Sequence, residues 1–166
     1  FSSKASITGN PDLKQTTIHN ADLRYEYYFG RGQAFTVSAF YKKLMNPIEQ
    51  IGVASNSVSS FTFSGNNNAD VAGVELEFRK NFDFMNKISR CKQWENFSIN
   101  INAAYIYSRI QIKDSNAVGN KVRPLQGQTP YVVNVGLQYN EPKTDITANI
   151  LFNMVGPKIF ATGNLY

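Results

Sequence analysis

The feature that most constrains the fold is an alternation of apolar and polar residues with a period of two. In residues 131–140, YVVNVGLQYN, one set of alternate positions is apolar or aromatic: Tyr131, Val133, Val135, Leu137 and Tyr139. The positions between them are mostly amides and glycine. Successive side chains of a β-strand point to opposite faces, so this segment predicts a strand with one apolar and one polar face. The apolar face must meet either a protein core or lipid.

The same alternation recurs in five further segments. Their predicted apolar faces are Ala21, Leu23, Tyr25, Tyr27 and Phe29; Phe35, Val37, Ala39 and Tyr41; Ala72, Val74, Leu76 and Phe78; Phe97, Ile99, Ile101, Ala103, Tyr105 and Tyr107; and Ile146, Ala148, Ile150, Phe152 and Met154. None of these residues is charged, and we expect charges and amides on the opposite faces. Helical periodicity is confined to a short stretch around residues 84–88. The sequence therefore predicts an all-β antiparallel meander of about six or seven long strands.

Strand length and the positions of the aromatic residues favour a membrane wall. The strand that begins at Phe97 can run to about Ile112, beyond the roughly 5–6 residues of a globular strand, and a tilted membrane strand needs about 9–11. Rings are expected at both water interfaces of such a wall. One predicted band is Tyr25, Tyr27, Phe29, Phe35, Phe78, Phe97 and Tyr139, and the other is Tyr41, Tyr105, Tyr107, Tyr131 and Phe152. The strands are thus predicted to form part of a transmembrane β-barrel.

The predicted connections agree with this interpretation except at one place. The GRGQ turn and the turn after Tyr139 are short and lie at one end, whereas the connections over about 45–70 and 113–129 are long and lie at the other. Outer-membrane barrels have short periplasmic turns and long external loops. The connection over 81–96 belongs to the short-turn end, yet it has about sixteen residues.

Composition limits the other classes of protein. The net charge is +5, but the basic residues form no dense patch, which favours a mixed solvated surface over a nucleic-acid interface. The most basic segment mixes both signs, with Lys80, Lys87, Arg90 and Lys92 beside Asp83 and Glu95. No apolar run approaches the ~18 residues of a membrane helix, and residues 1–10 lack the layout of a signal peptide. The single cysteine, Cys91, excludes an internal disulfide and a cysteine zinc site.

Four stretches together resemble the C-terminal barrel region of TonB-dependent outer-membrane receptors. They are GNPDLK, RYEYYFGRGQAFTVSAFYKKLMNPIE, ADVAGVELEFRKNFDFM and PLQGQTPYVVNVGLQYN, in the order of the family and spanning about 9–164. The resemblance implies the bacterial cell outer membrane and a barrel of about 22 strands closed by a plug domain. It also implies import of a scarce ligand, such as a metal chelate, vitamin, glycan or peptide, with energy relayed by TonB.

Residues 1–166 are expected to be one partial barrel domain, with the plug domain and the final strands absent. Six tilted strands are too few to close a barrel, for which about eight is the practical minimum. Lipid cannot satisfy the backbone groups of two open edges, so these must pair with other strands. The expected partners are outer-membrane lipid, the rest of the barrel and its plug, the TonB complex through the missing N-terminal part, and an unknown imported ligand, without nucleic acid.

The sequence predicts no catalytic, cofactor-binding or metal site. His19 is the only histidine and is interpreted as an ordinary lumen or loop residue. Glu75 and Glu77 share one face and are interpreted as cross-strand partners of Arg24 or Lys42, or as contacts to a plug. The run from Asn66 to Asp70 lacks the acidic spacing and closing Glu of a calcium loop. The GQTP turn before Tyr131 is interpreted as a strand start fixed by Gly and Pro.

The predicted function is that of barrel wall and external loops of a nutrient importer, and not of an enzyme. The alternative is a soluble, secreted all-β binding or adhesion domain, because a sandwich would show the same alternation. The two differ in whether Leu76, Ile101 and Val133 face lipid or interlock within a two-layer core.

Overall fold

The computed structural model describes residues 6–53, 60–65, 67–89, 92–113, 122–160 and 162–163. Its strands are β1 (Ser6–Ile7), β2 (Thr17–Gly30), β3 (Gln33–Met45), β4 (Glu49–Val53), β5 (Ser60–Ser64), β6 (Asn68–Asn81), β7 (Phe97–Gln111), β8 (Val122–Arg123), β9 (Tyr131–Glu141), β10 (Ile146–Val155) and β11 (Thr162–Gly163). The helix α1 (Met85–Ser89) and a 3₁₀ helix (Lys92–Asn96) lie between β6 and β7. No helix within these ranges is long and apolar enough to span a bilayer.

Six long strands form one antiparallel sheet in the order β10-β9-β7-β6-β3-β2, and β8 adds to β7. Their lengths run from 10 residues in β10 to 15 in β7. The predicted meander of six or seven long strands is therefore confirmed. Within the described ranges β2 pairs only with β3 and β10 only with β9, so the sheet has two open edges.

The register aligns the apolar positions of all six strands on one side, which we call the apolar face. One row across the sheet contains Tyr25, Val37, Leu76, Ala103 and Val133. Leu76 is exposed, and a second layer of the described chain does not cover this face. The interlocked core that the soluble sandwich requires is thus missing from the described part of the protein.

Most aromatic residues on the apolar face form two bands near the predicted positions. The prediction was wrong for Tyr25, which lies in the row between the bands, and for Phe152, which pairs with Val135 and so shares the row of Phe78. Tyr27, Phe35 and Phe78 share a row close to the short turns. At the opposite end, Tyr41 and Tyr107 flank Ala72. The row between these bands is largely aliphatic, which is the arrangement expected of a wall with rings at both membrane interfaces.

The two ends of the sheet differ in their connections. At the short-turn end β2 and β3 are joined by Arg31 and Gly32, and Gly32 adopts the left-handed φ of 69° that glycine tolerates. The longer connection at this end contains α1, which confirms the helical stretch predicted around 84–88.

At the long-loop end the chain forms a second sheet, in the order β1-β5-β4-β11, that the alternation did not predict. β4 and β5 make an antiparallel hairpin between β3 and β6, and β1 and β11 pair with it in parallel. The buried apolar residues Ala69, Val71 and Ile110 lie at this end of the wall strands. The small core therefore holds the loops to the wall.

Candidate functional site

A network of charges covers the face of the wall opposite the apolar face, which we call the polar face. On β2, Arg24 donates to Glu26, and on β6, Arg79 donates to Glu77. Arg24 Nη2 also lies 3.7 Å from Glu77 Oε2, across the intervening strand β3. The small residue between them, Thr36, pairs with both glutamates and is only 5% exposed. A short side chain on β3 thus lets charges two strands apart interact.

The ion pair between Arg24 and Glu77 confirms one of the predicted cross-strand partnerships. Glu75 lies two residues before Glu77 on β6, on the same face. It lines a recess together with Arg24 and Lys42. These carboxylates are parts of a charged wall, in which their register partners on β3 are Thr36 and Ser38.

The recess has a volume of about 500 Å³ and lies on the polar face toward the long-loop end. Its charged lining consists of Asp22, Arg24, Lys42 and Glu75, two groups of each sign. Its apolar lining includes Phe40, Leu44, Val71, Ile106 and Leu125. A site with an apolar floor and paired charges can hold an amphipathic molecule and fix its orientation through the charged groups.

The apolar part of this lining differs from the charges and amides that were expected on the polar face. Phe40, Gly73 and Ile106 are register partners on three adjacent strands. The Phe40 ring lies over the backbone of Gly73, where an added Cβ would be 2.5 Å from Phe40 Cζ. Glycine at this position therefore gives the ring its place in the recess.

The segment over 124–129 enters the recess because it leaves the strand ladder. Tyr131 pairs with Tyr105, and Arg123 pairs with Ile110. Between these two pairs, seven residues of this segment (124–130) lie opposite only four residues of β7 (106–109). The surplus forms an inward bulge in which Gly127 has a φ of 77°. The Leu125 amide donates to Ser108 Oγ at 3.2 Å, which fixes the bulge to the polar face. The GQTP sequence thus does more than start β9.

A buried ion pair connects the bulge to the hairpin of β4 and β5, which we call the external hairpin after its predicted location. Arg123 Nη1 and Nη2 donate to the two carboxylate oxygens of Glu49 at 2.9 and 2.7 Å. The Gln126 amide donates to Glu49 Oε1 at 2.9 Å. Glu49 is 4% exposed, so its charge is compensated almost entirely by these protein donors.

The side chain of Gln126 replaces a strand partner for the hairpin. Its Oε1 accepts from the Gln50 amide at 2.6 Å, and its Nε2 donates to the Gln50 carbonyl at 3.1 Å. Nε2 also donates to the Phe160 carbonyl at 2.6 Å. One amide therefore joins three segments: the bulge, β4 and the chain before β11. We refer to Glu49, Arg123 and Gln126 as the loop clamp.

The remaining candidate residues have ordinary roles. His19 lies on β2, pairs with Lys43 of β3 and shares a face with Leu23. Its interpretation as a lumen or loop residue was therefore wrong. Asn67 and Asn68 accept hydrogen bonds from Lys113, and Asp70 accepts one from Tyr41 at 2.6 Å.

Two residues considered above, Asn66 and Cys91, lie outside the described residues. Within the described ranges no group of three or more His, Cys, Asp or Glu side chains is placed to hold a metal ion. The side-chain oxygens of Asn67, Asn68 and Asp70 instead accept hydrogen bonds from protein donors.

Comparison with known proteins agrees with this architecture. The family model described as TonB dependent receptor-like, beta-barrel matches residues 1–164. A search of curated proteins and a search of solved structures found no match. Because the family model spans almost the whole chain and the wall strands, aromatic bands and external loops fit it, this protein belongs to the TonB-dependent receptor-like β-barrel family.

Proposed function

We propose that the chain forms part of the wall and external loops of an outer-membrane importer that takes up a scarce nutrient ligand. One observation carries the proposal: the sheet has a continuous apolar face with two aromatic bands and, on its reverse, a charged recess that Leu125 and Gln128 of the bulge help to line. A transport wall needs both faces, one for lipid and one for an aqueous lumen.

The remaining parts of the importer are proposed on the same basis. The open edges of β2 and β10 would pair with further strands of the same barrel, because unpaired backbone groups are costly in lipid. A plug domain would occupy the lumen, and the TonB complex would supply energy through it. The family membership supports transport, and not catalysis, as the role of the recess.

The proposed orientation can be tested by labelling in intact cells. In a Cys91→Ser background, Lys158→Cys lies at the long-loop end and Lys143→Cys in a short turn, and both positions are exposed. A membrane-impermeant maleimide should label the first in intact cells and the second only after the outer membrane is permeabilised. Equal labelling of both in intact cells would contradict the proposal.

The transport role requires a separate experiment. A strain lacking the gene should fail to grow when one nutrient class, supplied as metal chelate, vitamin, glycan or peptide, is limiting. Growth should return with the wild-type gene and should not return in a strain without TonB. Uptake that persists without TonB, or the absence of a growth defect in all four classes, would refute an importer.

A further inference from the structure

The long connection at the short-turn end extends the apolar face beyond the ends of the strands. Phe97 and Tyr139 are partners on that face, with ring centroids 4.7 Å apart. The ring centroid of Trp94, in the 3₁₀ helix, lies 5.7 Å from that of Phe97, and the centroid of Phe82 lies 6.4 Å from that of Trp94, both pairs being tilted. Phe84 follows at 6.1 Å from Phe82. The aromatic band therefore continues without a break from the wall into the connection.

A lysine lies within this band. Lys80 is two residues after Phe78 on β6 and pairs with Ile99, so it belongs to the apolar face. Its Nζ lies 5.2 Å from the ring centroid of Phe29 and 5.4 Å from that of Phe84. Among the described residues, no carboxylate lies within 4.0 Å of this ammonium, and Gln33 Oε1 accepts one of its three protons at 2.6 Å. The Lys80 ammonium therefore lies against two aromatic rings, and its other N–H donors remain available to a ligand.

The helix α1 and Phe84, which precedes it, add exposed apolar surface to this connection. Ile88 is 73% exposed and Phe84 is 42% exposed, and Lys87 lies in the last turn of the helix. The nearby acids are engaged locally, since Asp83 accepts the Phe84 amide and Glu95 accepts from Asn86. Rings, exposed aliphatic side chains and lysines together are typical of segments that lie in the headgroup layer of a bilayer.

We propose that residues 82–89 and 92–96 form a lipid-binding shelf, in which Trp94, Phe84 and Ile88 enter the membrane surface and Lys80 and Lys87 bind the phosphates of anionic glycerophospholipids. The inference rests on the proposed membrane function. Two observations select a lipid surface: the shelf is continuous with the lipid-facing wall, and its unpaired cation complements an anionic headgroup. It also accounts for a connection that is longer than a short turn requires.

The lysines can be tested by counting retained lipids. The protein is folded in nanodiscs containing equal amounts of phosphatidylcholine and phosphatidylglycerol, and the lipids that stay bound in detergent are counted by native mass spectrometry. Lys80→Gln and Lys87→Gln should each weaken phosphatidylglycerol retention about fivefold, from the attraction of one lysine to an anionic surface. Lys143→Gln, the same charge change in the other short turn, should have no effect. Equal retention in all three variants would overturn the proposal.

The single tryptophan gives an independent readout of depth. Lipids brominated in the acyl chain near the headgroup should quench the part of the fluorescence that Trp94→Phe removes. An unquenched Trp94 would refute the shelf. A difference in gel mobility between heated and unheated samples reports the folded barrel. A folded barrel without the lipid effects contradicts only the shelf, whereas a protein that does not fold in lipid at all refutes both proposals.

Discussion

The substitution Glu49→Gln should release the external hairpin without unfolding the wall. It removes the only charge that compensates Arg123 in the loop clamp, where the two side chains are 4% and 19% exposed. Removing one partner of a buried ion pair costs about 3–5 kcal/mol. Since Arg123 keeps some contact with water, we expect about 3 kcal/mol, from the lower end of that range. The lost free energy should lower the cost of opening the hairpin of β4 and β5 and leave the wall strands unchanged, because the ion pair connects loops and not wall strands.

Hydrogen exchange measured by mass spectrometry can separate these regions. A loss of about 3 kcal/mol corresponds to exchange on the order of 100-fold faster for amides that exchange through hairpin opening. Amides of β4 and β5 should show this change, whereas those of β7 should not. Glu77→Gln is the matched control, because it removes a carboxylate from the polar face without touching the hairpin.

A double-mutant cycle with Arg123→Gln gives the decisive comparison. The double variant no longer contains an uncompensated charge, so its loss should be smaller than the sum of the two single losses. Additive losses, or unchanged exchange of the hairpin in Glu49→Gln, would show that the ion pair does not hold the loop.

Three further predictions concern the wall. Val135→Arg should lower the free energy of unfolding by about 2–4 kcal/mol in urea titrations of the protein in lipid vesicles, whereas Asn134→Arg on the polar face should cost little; equal losses would contradict the assigned faces. Gly73→Ala should cost about 1–3 kcal/mol in the same titration because its Cβ meets the Phe40 ring, and Phe40→Ala should recover part of that loss; no recovery would refute the contact. Gly32→Ala should cost roughly 1–2 kcal/mol through its left-handed φ, and an unchanged titration would show that the turn accepts other backbones.

The wall was predictable because its information is local. On strands of 10 to 15 residues the side-chain period of two fixes which residues share a face, whatever the partner strand. The partnership of Arg24 with Glu77 followed from the same argument. His19 lies two residues before Ala21, so the period of two places it on the apolar face, as the register shows.

The external sheet was not predictable from the same signals. β4 and β5 have five residues each, too few for the period to stand out, and their position depends on a contact between Glu49 and Arg123, 74 residues apart. The recess was missed for another reason. Phe40 and Ile106 fall on polar-face positions, where an apolar residue looks like an exception until the register brings several of them together.

The inward bulge joins two neighbouring residues with different surroundings. Leu125 faces the recess, and Gln126 is bonded to the hairpin outside it. Their Cα atoms are only about 3.8 Å apart, the span of one trans peptide. A molecule that displaces the hairpin must therefore either break the hydrogen bonds of Gln126 or pull on the segment that carries Leu125. The hairpin and the recess are thus connected through the single peptide bond between Leu125 and Gln126.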